Sequence, residues 1–264
     1  VQPETGQKIM EGSGTALVTG ASKRIGRAIA IDLAQIGWSV GVHFHESDKD
    51  AAQTIADIEK SGGRAIALPA DLGNLEAVCG LVPEVARKLD APTLLINNAS
   101  LFERDRIADL SPASWQSHID VNLRAPVFLA QSFARHLPKD RDGVIINVLD
   151  QRVWKLTPNF FSYTVSKSAL WTVTQTLAQG LAPHIRVNAI GPGPTLANPR
   201  QSAEGFRKQQ QATILQRGPK LAEICAAVRF ILDAPSMTGQ MIALDGGQHL
   251  AWQTPDIYDY DPEQ

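Results

Sequence analysis

A chain of 264 residues, 44% hydrophobic and 20% charged, has the apolar material for one large core and is a normal length for a single α/β domain. Its formal net charge of −2 excludes a basic nucleic-acid footprint and a polybasic membrane patch. No run approaches the ~18 apolar residues that a spanning helix needs.

In chain order, 15–19 (TALVT) reads as a first strand ending in Gly20, and a helical pattern runs from 25 to 36 until Gly37 stops it. A second strand is predicted at 38–44, an acidic-fronted helix at 48–60, a third strand at 65–68 and a third helix at 75–89. The apolar strand 93–96 precedes Asn98, and one long helix is predicted over about 113–137. Strand 143–149, helix 163–181 and strand 185–190 follow, then a polar and mobile stretch at 198–216. Helix 220–232 and strand 240–244 close the pattern.

Strands alternating with helices, several of them apolar at every position, are the mark of a parallel sheet covered on both faces. The expected fold is therefore α/β: one Rossmann-type doubly wound parallel sheet of about seven strands. The domain is expected to span 14–252, with a polar tail at 1–13 and an acidic one at 253–264. Cys79 and Cys225 lie far apart in helical stretches, form no CxxC pattern, and read as buried free thiols. No metal site is expected. With no apolar signal core near residue 1, the expected setting is a soluble, reducing, cytoplasmic one.

The first strand runs into Thr19-Gly20-Ala21-Ser22-Lys23-Arg24-Ile25-Gly26. A glycine there lets the chain turn sharply, so that the next helix aims unpaired N–H groups at a diphosphate. This stretch resembles the TGxxxGxG motif of the short-chain dehydrogenases/reductases, with Arg24 where the middle glycine usually stands. A guanidinium adds charge-assisted donors beside a diphosphate. Strand two ends in His43-Phe44-His45-Glu46-Ser47, with no aspartate for ribose hydroxyls. His43, His45, Ser47, Lys23 and Arg24 read as a cradle for the extra phosphate of NADPH, while Glu46 opposes it. His43 reads equally as a satisfied strand histidine.

Further loops follow the family's order. Asp71-Leu72 is expected at the adenine; Asn98-Ala99-Ser100 resembles NNAG, and Pro192-Gly193 resembles the PG motif, with Thr195 near the carboxamide. The resemblance covers nearly the whole chain. Tyr163 and Lys167 form YxxxK, which puts both on one helix face. A phenol of pKa ~10 becomes a base near ~7 only through about 4 kcal/mol of differential stabilisation, which Lys167 is expected to help supply. Asn122 resembles the family's asparagine that holds a relay water.

Thirteen positions before the tyrosine, where the family usually carries serine, stands Asp150. Its carboxyl suits proton donation to a ring nitrogen if protonated, or acceptance of ring N–H bonds if ionised. Arg24, Asp150 and Phe102 together resemble pteridine reductases and dihydromonapterin reductases. That resemblance implies a pterin ring between Phe102 and the nicotinamide, its polar edge on Arg24 and Ser100, with Tyr163 and Asp150 handling protons. Trp154, Phe160 and Phe161 are expected to contribute to the pocket, and Trp171 to the core or an interface. Helices 113–137 and 163–181 resemble those through which the family forms dimers and tetramers. A reductase of ordinary carbonyls, or a catalytically quiet NADP-binding sensor, are the alternatives.

Overall fold

Strands buried along their whole length, 15–18, 94–97 and 143–148 among them, build the core. A computed structural model describes residues 14–198 and 200–252, so both expected tails lie outside the described residues. The strands are β1 (Thr15–Val18), β2 (Ser39–Phe44), β3 (Ala65–Pro69), β4 (Leu94–Asn97), β5 (Gly143–Val148), β6 (Ile185–Pro192) and β7 (Met241–Leu244). They form one parallel sheet in the order β3-β2-β1-β4-β5-β6-β7. The expected seven-stranded doubly wound fold is the observed one.

On one face Ala16, Val18, Leu94, Ile96, Val144 and Ile146 pack under α1 (Arg24–Gln35), α2 (Asp48–Lys60) and α8 (Leu221–Asp233). On the other, Leu17, Leu95 and Ile145 meet α3 (Leu75–Lys88), α5 (Ala125–His136) and α6 (Phe161–Gly180). Successive side chains of a strand point to opposite faces, so a fully apolar strand feeds two cores. Local chemistry sets the helix starts. Asn74 Oδ1 accepts from the N–H groups of Glu76 (2.9 Å) and Ala77 (3.2 Å) ahead of α3. Ser111 caps α4 (Pro112–Ile119), whose proline at the first position lacks only a donor the helix cannot use.

The strand order reverses at β1, which lies between β2 and β4. Loops leaving β1 and β4 diverge to opposite faces and open the crevice that holds ligands in such sheets.

Two predicted elements need correction. The long helix expected over 113–137 is interrupted by a π-helical turn, Asp120–Arg124, between α4 and α5. Arg124 braces it, pairing with Asp120 at 2.8 Å and donating to the Gly73 carbonyl at 2.6 Å. Apolar periodicity continues on both sides of such a bulge and so conceals it. The polar stretch 198–216 contains α7 (Ala203–Gln211), capped by Ser202 and tied by a Glu204–Lys208 pair at 3.0 Å. Its sequence lacks an apolar stripe because it covers a cavity rather than a core. Cys225 is buried, with its thiol pushed up to about 11 by burial, whereas Cys79 is exposed on α3. No helix among the described residues is long and apolar enough to cross a membrane.

Candidate active site

A cavity of about 1130 Å³ opens where the carboxyl ends of β1, β4, β5 and β6 meet α7. Of the residues singled out from the sequence, it brings together Gly20, Lys23, Arg24, Ile25, Gly26, His43, Phe44, His45, Asp71 and Leu72 at one end. Asn98, Ala99, Ser100, Phe102, Asp150, Tyr163, Lys167, Pro192, Gly193 and Thr195 line the rest. Ser47 and Asn122 do not line it.

The nucleotide-like end is built by backbone. Gly20 has φ +62, and the N–H it presents donates to His43 Nδ1 at 3.0 Å. Thr19 Oγ accepts from the N–H groups of Asn98 (2.9 Å) and Ala99 (3.0 Å), while Asn98 Nδ2 donates to the Thr19 carbonyl at 2.9 Å. A Cβ on Gly26 would lie 2.2 Å from the Gly20 carbonyl and 2.4 Å from Asn98 Nδ2. Only glycine lets α1 start this close to the turn. The N–H groups of Ile25 and Gly26 meet no acceptor among the described residues. Free donors at the start of a twelve-residue helix, beside Lys23 and Arg24, fit a diphosphate.

Three expectations at this end change. His43 is 2% exposed and accepts from Gly20 while its Nε2 bonds the Ala70 carbonyl at 3.1 Å. Burial pulls its pKa down to about 4, against the Ala70 bond that favours the proton. It is the satisfied strand histidine, a neutral brace rather than a phosphate ligand. Lys23 pairs with Asp50 at 2.9 Å. Arg24 takes the left-handed φ of +55 that the usual glycine would supply, and its guanidinium donates to the carbonyls of Leu196 (3.0 Å) and Ala197 (2.8 Å). It thus ties the turn after β1 to the segment after β6.

Tyr163 sits in the first turn of α6, and its hydroxyl donates to Asp150 Oδ2 at 2.9 Å. Lys167, one helical turn on and 2% exposed, donates through Nζ to the Val148 carbonyl at 2.7 Å. Its Nζ lies 5.9 Å from the centre of the Tyr163 ring. Burial, then the Asp150 charge, raise the Tyr163 pKa well above 10, with Arg152 opposing them. Burial also lowers Lys167 to about 8. In direction the Tyr163 shift is the reverse of the lowering expected from Lys167: burial and the facing Asp150 carboxyl favour the neutral phenol.

Asp150 accepts in every contact: from Tyr163, from the Arg152 N–H at 2.8 Å on Oδ1, and from Arg152 Nη1 at 2.9 Å on Oδ2. Asn122, wholly buried, has its side chain filled: Oδ1 accepts from Leu101 (2.8 Å) and Ser100 (3.2 Å), and Nδ2 donates to Leu101 (3.0 Å) and Ser166 (3.1 Å). Its side chain clamps the loop after β4.

The apolar wall is Phe102 and Phe160, stacked with centroids 4.3 Å apart and 7° between planes; Phe102 also meets Tyr163 edge-on at 4.7 Å. Phe160 lines the cavity, in a left-handed conformation (φ 57); Trp154 and Phe161 do not. Trp154 instead packs against Trp171 and His249, with centroids 6.4 and 5.0 Å away, and Trp171 belongs to a small core cluster.

Sequence reasoning missed several contributors. Arg152 joins Asp150 to the phenylalanine pair, with its Cζ 5.4 and 5.5 Å from their ring centres. Arg200 reaches back to the Phe102 carbonyl at 2.9 Å and pairs with Glu103. Asp105, buried, accepts from Ser162 N–H at 3.1 Å and Ser114 Oγ at 3.1 Å, pinning the start of α6. Only Arg152 carried a local signal, an arginine two positions after the unusual Asp150.

Residues 14–207 match the short chain dehydrogenase family. The FolM alternative dihydrofolate reductase 1 of Brucella suis, solved in complex with NADP, is 50% identical and superposes with a TM-score of 0.91 over 94% of this chain and 99% of that one. Its namesake from Brucella canis, also complexed with NADP, gives 49%, 0.92, 95% and 100%. The 3-oxoacyl-[acyl-carrier-protein] reductase of Synechocystis sp. is 30% identical over 236 residues, 88% of this chain and 95% of that one. With its glycine turn, YxxxK pair and seven-stranded parallel sheet, the chain belongs to the short-chain dehydrogenase/reductase family and, within it, resembles the pteridine reductases.

Proposed function

We propose that this chain is an NADPH-dependent reductase of a flat nitrogen heterocycle of the pterin type. The observation that carries this reading is Asp150 at the family's usual serine position, bonded to the Tyr163 hydroxyl beside the Phe102–Phe160 wall. A hydroxyl there suffices to polarise a carbonyl. A carboxyl acceptor instead matches the N–H edge of a heterocycle, and the ring face matches phenylalanine. The likeness to the Brucella alternative dihydrofolate reductases supports the same assignment.

NADPH, when bound, supplies the hydride. Ile25 and Gly26 N–H groups would hold its diphosphate, His45 its extra phosphate, Asp71-Leu72 its adenine, and Lys167 and Thr195 its nicotinamide half. The buried phenol of Tyr163 holds the proton that the reduced substrate takes up, and burial keeps that proton in place at neutral pH. Asp150 orients the phenol and accepts from the substrate. Asn122 fixes Ser100 and Leu101 at the mouth of the substrate pocket.

The likeness to 3-oxoacyl reductases favours a second reading, reduction of an ordinary ketone. Following NADPH oxidation with 7,8-dihydrobiopterin and with a 3-oxoacyl thioester separates the two. Turnover of the pterin at a kcat/KM at least tenfold higher is expected; turnover of the thioester alone would end the pterin assignment.

A further inference from the structure

Arg152 belongs to none of the family motifs, yet it holds both oxygens of the carboxyl that accepts from Tyr163. Its Nη1 lies 2.9 Å from the same Asp150 oxygen that accepts from Tyr163, and its N–H holds the other oxygen at 2.8 Å. The side chain is only 18% exposed and lies beside the stacked Phe102–Phe160 pair, its Cζ 5.4 and 5.5 Å from the two ring centres. We propose that Arg152 is a positioning residue for proton donation: it keeps the site electrically balanced once the Tyr163 phenol has given up its proton.

The charges that face Asp150 are few. Tyr163 bonds it from α6 and Arg152 from its own turn; Lys167, with its Nζ on the Val148 carbonyl, adds its charge from one helical turn beyond Tyr163, while Arg24, Arg104 and Arg200 line the wider cavity. While the phenol keeps its proton, two cations face one carboxylate. After donation, a phenolate and a carboxylate face an ammonium and a guanidinium, and the buried group is neutral overall. Without Arg152, the same step would leave an uncompensated negative charge beside Asp150 in a site where burial makes charge costly. Arg152 also shares the oxygen that accepts from Tyr163. This divides the acceptor's strength and loosens the phenol's hold on it, so the proton is available to a substrate. The direction of the Tyr163 pKa agrees, since Arg152 is the group that opposes its rise.

This inference rests on the proposed reading only in taking Tyr163 as proton donor during reduction, whatever the substrate. Tyr163→Phe therefore serves as the control: if it keeps its turnover, the donor assignment fails independently of Arg152. With that control inactive, kcat is measured from pH 5 to 10 for the wild type, Arg152→Gln and Arg152→Lys, on whichever substrate the wild type reduces best, in water and in heavy water. Arg152→Gln is expected to lower kcat at least tenfold, to move both the acid and the basic limbs to higher pH by about one unit, and to enlarge the solvent isotope effect. Arg152→Lys, which keeps the charge, is expected to return the limbs to the wild-type positions while recovering only part of kcat. If Arg152→Gln lowers the height of the profile and leaves both limbs and the isotope effect unmoved, Arg152 is a packing residue and the proposal is overturned. If Arg152→Gln does not fold, Arg152→Met, equally uncharged and with an apolar stem beside the phenylalanines, takes its place with the same two outcomes: limbs raised by about one unit support the proposal, and unmoved limbs overturn it.

Discussion

The two ends of the cavity are held by different chemistry. At the β1–β4 end the contacts are backbone and neutral side chain: Gly20 to His43, Thr19 to Asn98 and Ala99, and the close approach of Gly26. At the β5–β6 end they are arginines reaching across space: Arg152 to Asp150, Arg24 to residues 196 and 197, Arg200 to Phe102 and Glu103. The first arrangement is fixed by the fold, because moving it means breaking buried backbone bonds. The second depends on individual side chains, which can be exchanged with the sheet intact. Under the proposed function, cofactor binding is tied to the scaffold, and substrate choice to a handful of long cations and the acids they pair with.

If that division holds, the largest effect belongs to the group the substrate end exists to serve. Tyr163→Phe should lower kcat by a factor of about 10³ or more while the NADPH Kd, read by fluorescence titration, stays within about threefold. Loss of NADPH binding instead would place Tyr163 in the scaffold half. Asp150→Ser should cost about 100-fold in kcat/KM for the pterin but much less for a 3-oxoacyl thioester. An unchanged ratio would mean that the carboxyl does not choose the substrate.

His43 tests the scaffold half. Its proton is taken up in the unfolded chain near pH 6.5 but in the folded one only at about 4. Stability from the neutral ring is complete above pH 6.5 and is lost as pH falls through that interval, on the order of 3 kcal/mol in total. Urea unfolding between pH 7 and 4 should show this slope in the wild type and lack it in His43→Asn; equal slopes would show that the ring is not held neutral.

The smallest effect joins the halves. Arg24→Gly removes a left-handed arginine, worth about 1 kcal/mol or roughly 2–4 °C in Tm, and also removes the tie to the segment after β6. A higher Tm with a substrate KM raised about fivefold is expected. A lower Tm would mean that the tie matters more to folding than the strain.

The same contrast explains what could be read from the sequence. The scaffold end was legible because its residues are contiguous within motifs such as Thr19–Gly26 and Asn98–Ser100, and because strand periodicity fixes where those motifs emerge. Tyr163, Lys167 and Asp150 were legible by spacing. Their protonation was not, since the raised Tyr163 and the neutral His43 follow from burial that no local pattern encodes. Arg200 on Phe102 and Asp105 on Ser162 are pairings across 98 and 57 positions, invisible without the fold. Asn122 was found by its place in the motif, but the partners that fill its side chain come from the loop after β4 and from α6.

The most direct test is a crystal structure with NADPH and 7,8-dihydrobiopterin bound together. The pterin ring is expected to lie flat between Phe102 and the nicotinamide, with an Asp150 oxygen within hydrogen-bonding distance of a ring N–H and the Tyr163 hydroxyl facing the reduced bond. A ring bound elsewhere, or the carboxyl of Asp150 turned out of the pocket, would contradict the assignment.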